Sequence, residues 1–136
     1  MAFTVAVLDE ADYGGLNPEL ASRLCAAVFS HRGFDVERLG ELSIALVEQD
    51  VIHDLNLRFR DKDEPTDVLS FEIDGPYGEV VGEVVICPAC ASPEMRVEEL
   101  VVHGALHLSG MDHGEDFEAS EMALVQEAVM GAVRGA

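Results

Sequence analysis

Short apolar runs of strand character alternate along this chain with longer segments whose apolar residues recur every three or four positions. Residues 3–8, FTVAVL, are apolar and β-prone and read as a first strand. Asn17 followed by Pro18 is a cap-then-proline start, which predicts a helix to about His31, stopped by Gly33. Residues 41–47, ELSIALV, alternate well enough for a second strand. Asp50 is placed to cap a helix over VIHDLNLRFR, residues 51–60, which Pro65-Thr66 breaks. VLSFEI (68–73) and VVGEVVIC (80–87) flank the turn segment DGPYG and predict an antiparallel hairpin. Ser92 and Pro93 offer an N-cap and an N1 proline for the next helix, and Gly110 lies just past its end. Glu94, Glu98 and Glu99 suit the positive end of its dipole. Val97, Leu100, Val101, Gly104 and Leu108 form the apolar stripe by which it packs into the body. A last helix is expected over about 116–132, with Phe117, Leu124, Val125, Ala128 and Val129 buried and Met122 in the core. No internal repeat, linker or low-complexity segment breaks the order, so the expectation is one α+β domain over residues 1–136.

Composition narrows the class. A 136-residue chain that is 49 % hydrophobic can bury a core without disulfide staples and is not disordered. The opening segment MAFTVAVLDEADYGG lacks the basic stretch of a signal peptide. No run reaches the ~18 apolar residues of a membrane span, so no membrane is expected as a partner. Cys25, Cys87 and Cys90 are few and odd in number, which suits a reducing cytoplasm. Asp and Glu number 27 against 8 Lys and Arg, a net charge of −19 that repels nucleic acid at long range and favours solubility. An acidic surface adapted to a saline cytoplasm is one reading of that excess, and it requires that molar salt stabilise the fold.

The sharpest chemical signal is VHGALHLSGMDHG, residues 102–114. His103 and His107 are four apart, one helical turn on the same face. Gly110 lets the chain turn back so that His113 can join them. Three imidazoles can hold one cation at roughly 2.0–2.1 Å and leave a coordination position for water, the catalytic pattern for zinc. One zinc ion per chain is therefore expected, with another divalent transition metal as the substitute. The spacing is also that of metzincin peptidases, which need a glutamate after the first histidine as general base. Here that position is Gly104, which cannot move a proton. Asp112 is a candidate to orient a ligand or take a proton, and equally a helix-exit aspartate bonded to backbone amides. Glu99, one turn before His103, reads as a solvated or supporting group rather than a ligand.

Arg58, Arg60 and Lys62 concentrate three of the eight basic residues in RFRDKDEPTDVLSFE, residues 58–72. An arginine fork binds phosphate and stabilises charge developing on it, although cations at a helix C-terminus are also favoured by the dipole alone. Cys87-Pro-Ala-Cys90 sits where a redox C-x-x-C would, but a lone pair is weak evidence and no second pair completes a four-cysteine zinc site. His31 reads as a helix-end cation or surface residue, and His53 has no partner at ligand spacing.

PTDVLSF (65–71), GEVVIC (82–87) and HGALHLSGMDH (103–113), together with DLNLRFR (54–60), closely resemble the YbeY endoribonuclease family of bacterial rRNA maturation factors. The likeness covers roughly residues 41–125. It implies an α+β fold with a small mixed β-sheet flanked by helices. It also implies zinc held by His103, His107 and His113, and Arg60 as the catalytic arginine that contacts the RNA phosphate. By the same resemblance the protein is cytoplasmic, cuts single-stranded RNA, matures the 3′ end of small-subunit rRNA and serves ribosome quality control. A ribosomal or ribosome-associated protein is the expected partner. Two positions depart from the family's usual pattern, Ser109 for leucine and Met111 for tyrosine, and the stretch from Cys87 to His103 is short. The competing expectations are a zinc metallopeptidase-like hydrolase and a non-catalytic, zinc-stabilised ribosome-associated protein.

Overall fold

The computed structural model describes residues 3–35, 40–74, 80–111 and 121–134. In chain order the elements are β1 (Thr4–Asp9), α1 (Pro18–His31), β2 (Glu41–Leu46), α2 (Gln49–Arg60), β3 (Val68–Asp74), β4 (Val80–Ile86), α3 (Val97–Leu108) and α4 (Glu121–Arg134). A short 3-10 turn at Pro88–Cys90 joins β4 to α3. The strands lie in the order β1-β2-β4-β3. β1, β2 and β4 are mutually parallel, while β3 pairs antiparallel with β4 from Val68↔Ile86 to Asp74↔Val80. The sheet is therefore mixed, the hairpin forms as its residue types predict, and β3 is an edge strand.

Strand alternation divides the interior in two. Leu42, Ile44 and Leu46 of β2 and Val84 and Ile86 of β4 join residues of α1, α3 and α4 in the larger core. The intervening Ala45, with Val47, Val85 and Leu69, meets Ile52 of α2 on the opposite face. So α2 and α3 lie on different sides of the sheet, and both reach its β3 edge. Among the described residues no helix is long and apolar enough to cross a membrane.

The start of α1 follows its sequence: the Asn17 side chain accepts from Glu19 N at 2.9 Å and Leu20 N at 3.2 Å. Two other starts differ from expectation. Glu48 is the N-cap of α2 without a side-chain capping bond, and Asp50 lies inside the first turn, where it acts on the dipole instead. α3 begins at Val97 rather than behind Ser92. Ser92–Met95 closes a separate turn (Met95 N to Ser92 O, 3.0 Å), and Arg96 is extended at φ −82°, ψ 155°, so that turn cannot run on into the helix. In α4, Met122 and Val129 are buried as expected, but Leu124 is 68 % exposed. Met122, Gln126, Val129 and Met130 form the buried stripe, and Leu124 lies about 200° round the helix from Met122. Ala128 is exposed as well, and Phe117 lies outside the described residues.

Candidate active site

The C-terminus of α3 builds the first half of the site. Gly110 takes φ +99°, a left-handed conformation open to glycine. Its N–H bonds His107 O at 3.0 Å, and Met111 N bonds Leu106 O at 3.1 Å, which together make a Schellman closure. That closure brings the Met111 carbonyl to His107 Nδ1 at 3.0 Å. A carbonyl only accepts, so Nδ1 is the donor, and in the neutral ring Nε2 keeps its lone pair. His107 Nε2 then faces His103 Nε2 at 3.2 Å, with ring centroids 4.8 Å apart. Two nitrogens bound tetrahedrally to one zinc would be about 3.3 Å apart, given bonds of roughly 2.0–2.1 Å. The pair therefore fits a shared transition-metal cation, and the carbonyl on the far nitrogen is the support that metal-ligating histidines usually have.

Gly104, between these histidines, is fixed by packing. A Cβ there would sit 2.5 Å from Val84 Cγ1 and 3.1 Å from Ser70 Oγ. No glutamate fits at that position, so the proton-transfer group of a metzincin peptidase is excluded sterically as well as chemically. The close approach also lets Ser70 Oγ donate to Gly104 O at 3.0 Å. On the other side of the strand edge, the Ser70 carbonyl accepts from an Arg60 terminal nitrogen at 2.7 Å. Ser70 thus joins the histidine helix to the arginine helix across β3. Arg60 and both histidines line one cavity of about 520 Å³, along with Asn56, Lys62, Thr66 and Asp67.

His113 and Asp112 lie outside the described residues. Among the described residues no third His, Cys, Asp or Glu joins the pair as a metal-holding group. Glu99 is half-buried. Arg58 pairs with Asp54 at 3.0 Å on the surface, and His53 pairs with Asp63 at 2.8 Å. His31 is exposed in the last turn of α1. Cys87 and Cys90 bring their sulfurs to 2.7 Å as free thiols. Burial first, and then the bond to Cys87, push the Cys90 thiol up to about 12, which makes it a poor nucleophile at neutral pH.

Sequence reasoning missed three supporting residues. Asn56 is buried; its side chain donates to Glu64 O at 2.9 Å and its carbonyl accepts from Lys62 N at 3.2 Å, so it moulds the loop below Arg60. The available signal was a polar residue four after the buried Ile52, on an otherwise apolar face. Ser70 had only its alternation in β3 to mark it. Ser109 is buried, donates to Leu106 O at 2.6 Å and accepts from Arg32 Nε at 3.2 Å, tying the end of α1 to the end of α3.

Comparison with known proteins identifies the family. The profile of the family described as endoribonuclease YbeY matches residues 16–134, a wider span than the motifs alone cover. A protein named endoribonuclease YbeY from Rubrobacter xylanophilus is 71 % identical over 136 residues, spanning 99 % of each chain. Another of that name from Saccharopolyspora erythraea is 34 % identical over 149 residues, spanning 95 % of this chain and 81 % of its own. The solution structure of TM1509 from Thermotoga maritima superposes with a TM-score of 0.54 at 27 % identity, covering 96 % of this chain and 89 % of that one. With the family profile matched over nearly all of its length and a relative 71 % identical across it, this chain belongs to the YbeY endoribonuclease family.

Proposed function

We propose that this protein is a zinc-dependent endoribonuclease that cleaves single-stranded RNA, acts on the 3′ end of small-subunit rRNA and serves ribosome quality control. The observation that carries the reading is the convergence of His103 and His107 Nε2 at 3.2 Å in a cavity that Arg60 also lines. His113 is the proposed third ligand. The chemistry that zinc, or another divalent transition metal, would supply when bound is Lewis acidity, which would lower the pKa of water toward about 7 and polarise a phosphoryl oxygen. Arg60 commits one of its five donors to Ser70 O, and the rest are free to bind non-bridging phosphate oxygens and neutralise charge on pentacoordinate phosphorus. Met111 O holds the His107 ring in its tautomer throughout. Asp112 is the candidate proton acceptor.

The whole chain would work as one hydrolase domain, in the cytoplasm. With few cations to neutralise phosphates, its own grip on RNA is weak, so a ribosomal or ribosome-associated protein is the proposed partner that delivers substrate. Cleavage of a defined small-subunit rRNA 3′ fragment by wild type and Arg60→Ala tests the reading. Loss of about a hundredfold or more in kcat with zinc content unchanged is expected. An Arg60→Ala protein of full activity, or a His107→Ala protein that keeps both zinc and cleavage, contradicts the site assignment.

A further inference from the structure

Around the proposed catalytic Arg60, the end of α2 presents rings and cations that the cleft chemistry does not use. Phe59 is 57 % exposed, a large apolar ring in water. Phe71 meets it edge-on, with centroids 5.4 Å apart and planes at 69°. Arg58 Cζ lies 5.4 Å from the Phe59 centroid, and Arg60 Cζ lies 5.3 Å from that of Phe71. Arg60 and Phe71 both line the cavity wall beside His107, and Lys62 lines the same cleft with both histidines. Rings and cations therefore interleave along the lip of the site, and three of the chain's eight basic residues are spent on them. The Arg58–Asp54 pair is more than half exposed on both sides, and exposed pairs of this kind hold weakly, so Arg58 can exchange Asp54 for a phosphate.

Exposed rings flanked by cations are how proteins hold single-stranded nucleic acid: a base stacks on the ring and the cations track the backbone. We propose that Phe59 is a stacking platform for one nucleobase of the RNA strand, braced at its edge by Phe71, with Arg58 and Lys62 on the neighbouring phosphates. The proposal rests on the endoribonuclease reading above and adds to it a physical source of strand selectivity. Bases inside a duplex are already stacked on one another and have no face to offer the ring.

The chain contains no tryptophan, so Phe59→Trp installs a single fluorescent reporter that also keeps an aromatic surface. Titration with a cleavage-resistant 2′-O-methyl oligonucleotide should quench it when the oligonucleotide is single-stranded and leave it unchanged when duplexed. In cleavage assays, Phe59→Ala should raise KM roughly five- to a hundredfold, the range for losing one base–aromatic stack. Leu124→Ala, which removes an exposed apolar residue on α4, should leave KM as it is. An unquenched tryptophan, equal quenching by strand and duplex, or an unchanged KM in Phe59→Ala would overturn the platform. Quenching by single strands in a protein that cuts no RNA would support the platform while defeating the catalytic reading on which it was built.

Discussion

A residue with no side chain governs the site most tightly. Replacing Gly104 by alanine puts a methyl group 2.5 Å from Val84 Cγ1, and overpacking of this kind costs about 1–3 kcal/mol. Because helix and strand must part, the variant should also lose affinity for the proposed zinc. Denaturant unfolding with metal titration checks both, and an alanine variant of wild-type stability would show that α3 does not press on the sheet. Cys25 offers a test at alkaline pH. Burial pushes its thiol up to about 12 from an ordinary value of 9.0. Below pH 9 both states are protonated and its contribution is fully present. Between pH 9 and 12 the unfolded thiol ionises while the folded one does not, so stability falls by up to about 1.4 kcal/mol per pH unit. Cys25→Ala should lack that component, and an identical alkaline slope in both proteins would contradict the burial. The histidine spacing was legible in the sequence because i, i+4 periodicity is local. The reason for Gly104 was not, because it lies in β4 and β3, at Val84 and Ser70, twenty and thirty-four residues away in the chain.

Caps and edges decide how the elements hold these residues. The left-handed Gly110 positions Met111 O under His107. Gly110→Ala forces a Cβ into that conformation at about 1–2 kcal/mol, and it should weaken zinc binding as well as stability. Equal zinc affinity in the two proteins would break the link between cap and ligand. Asn56→Ala removes the bond to the Glu64 carbonyl and frees the loop beside Arg60, for a loss of about 0.5–1.5 kcal/mol in urea unfolding. If stability stays within a few tenths of that of the wild type, Asn56 does not mould the loop. Helices and strands announced themselves by Asn17-Pro18, by Gly110, by alternation in β2 and by residue type in β3. The start of α3 and the exposure of Leu124 did not, since one depends on an extended Arg96 and the other on which face of α4 the core selects.

At the scale of the molecule, a net charge of −19 acts against both compaction and RNA. Molar salt screens the self-repulsion and should raise the melting temperature; no gain would count against a saline-adapted surface. RNA affinity should fall only gently with salt, since few phosphates can be neutralised, and a steep slope would reveal many contacts. The mixed topology brings the ends of α2 and α3 to the β3 edge from opposite faces, so the arginine and the histidines meet only once the sheet has closed. Cleavage of a single-stranded rRNA fragment by purified protein, before chelation, after chelation and after zinc is restored, tests this arrangement most directly. The account predicts that activity disappears with the metal and returns with it while the fold persists; cleavage that is indifferent to chelation would contradict it.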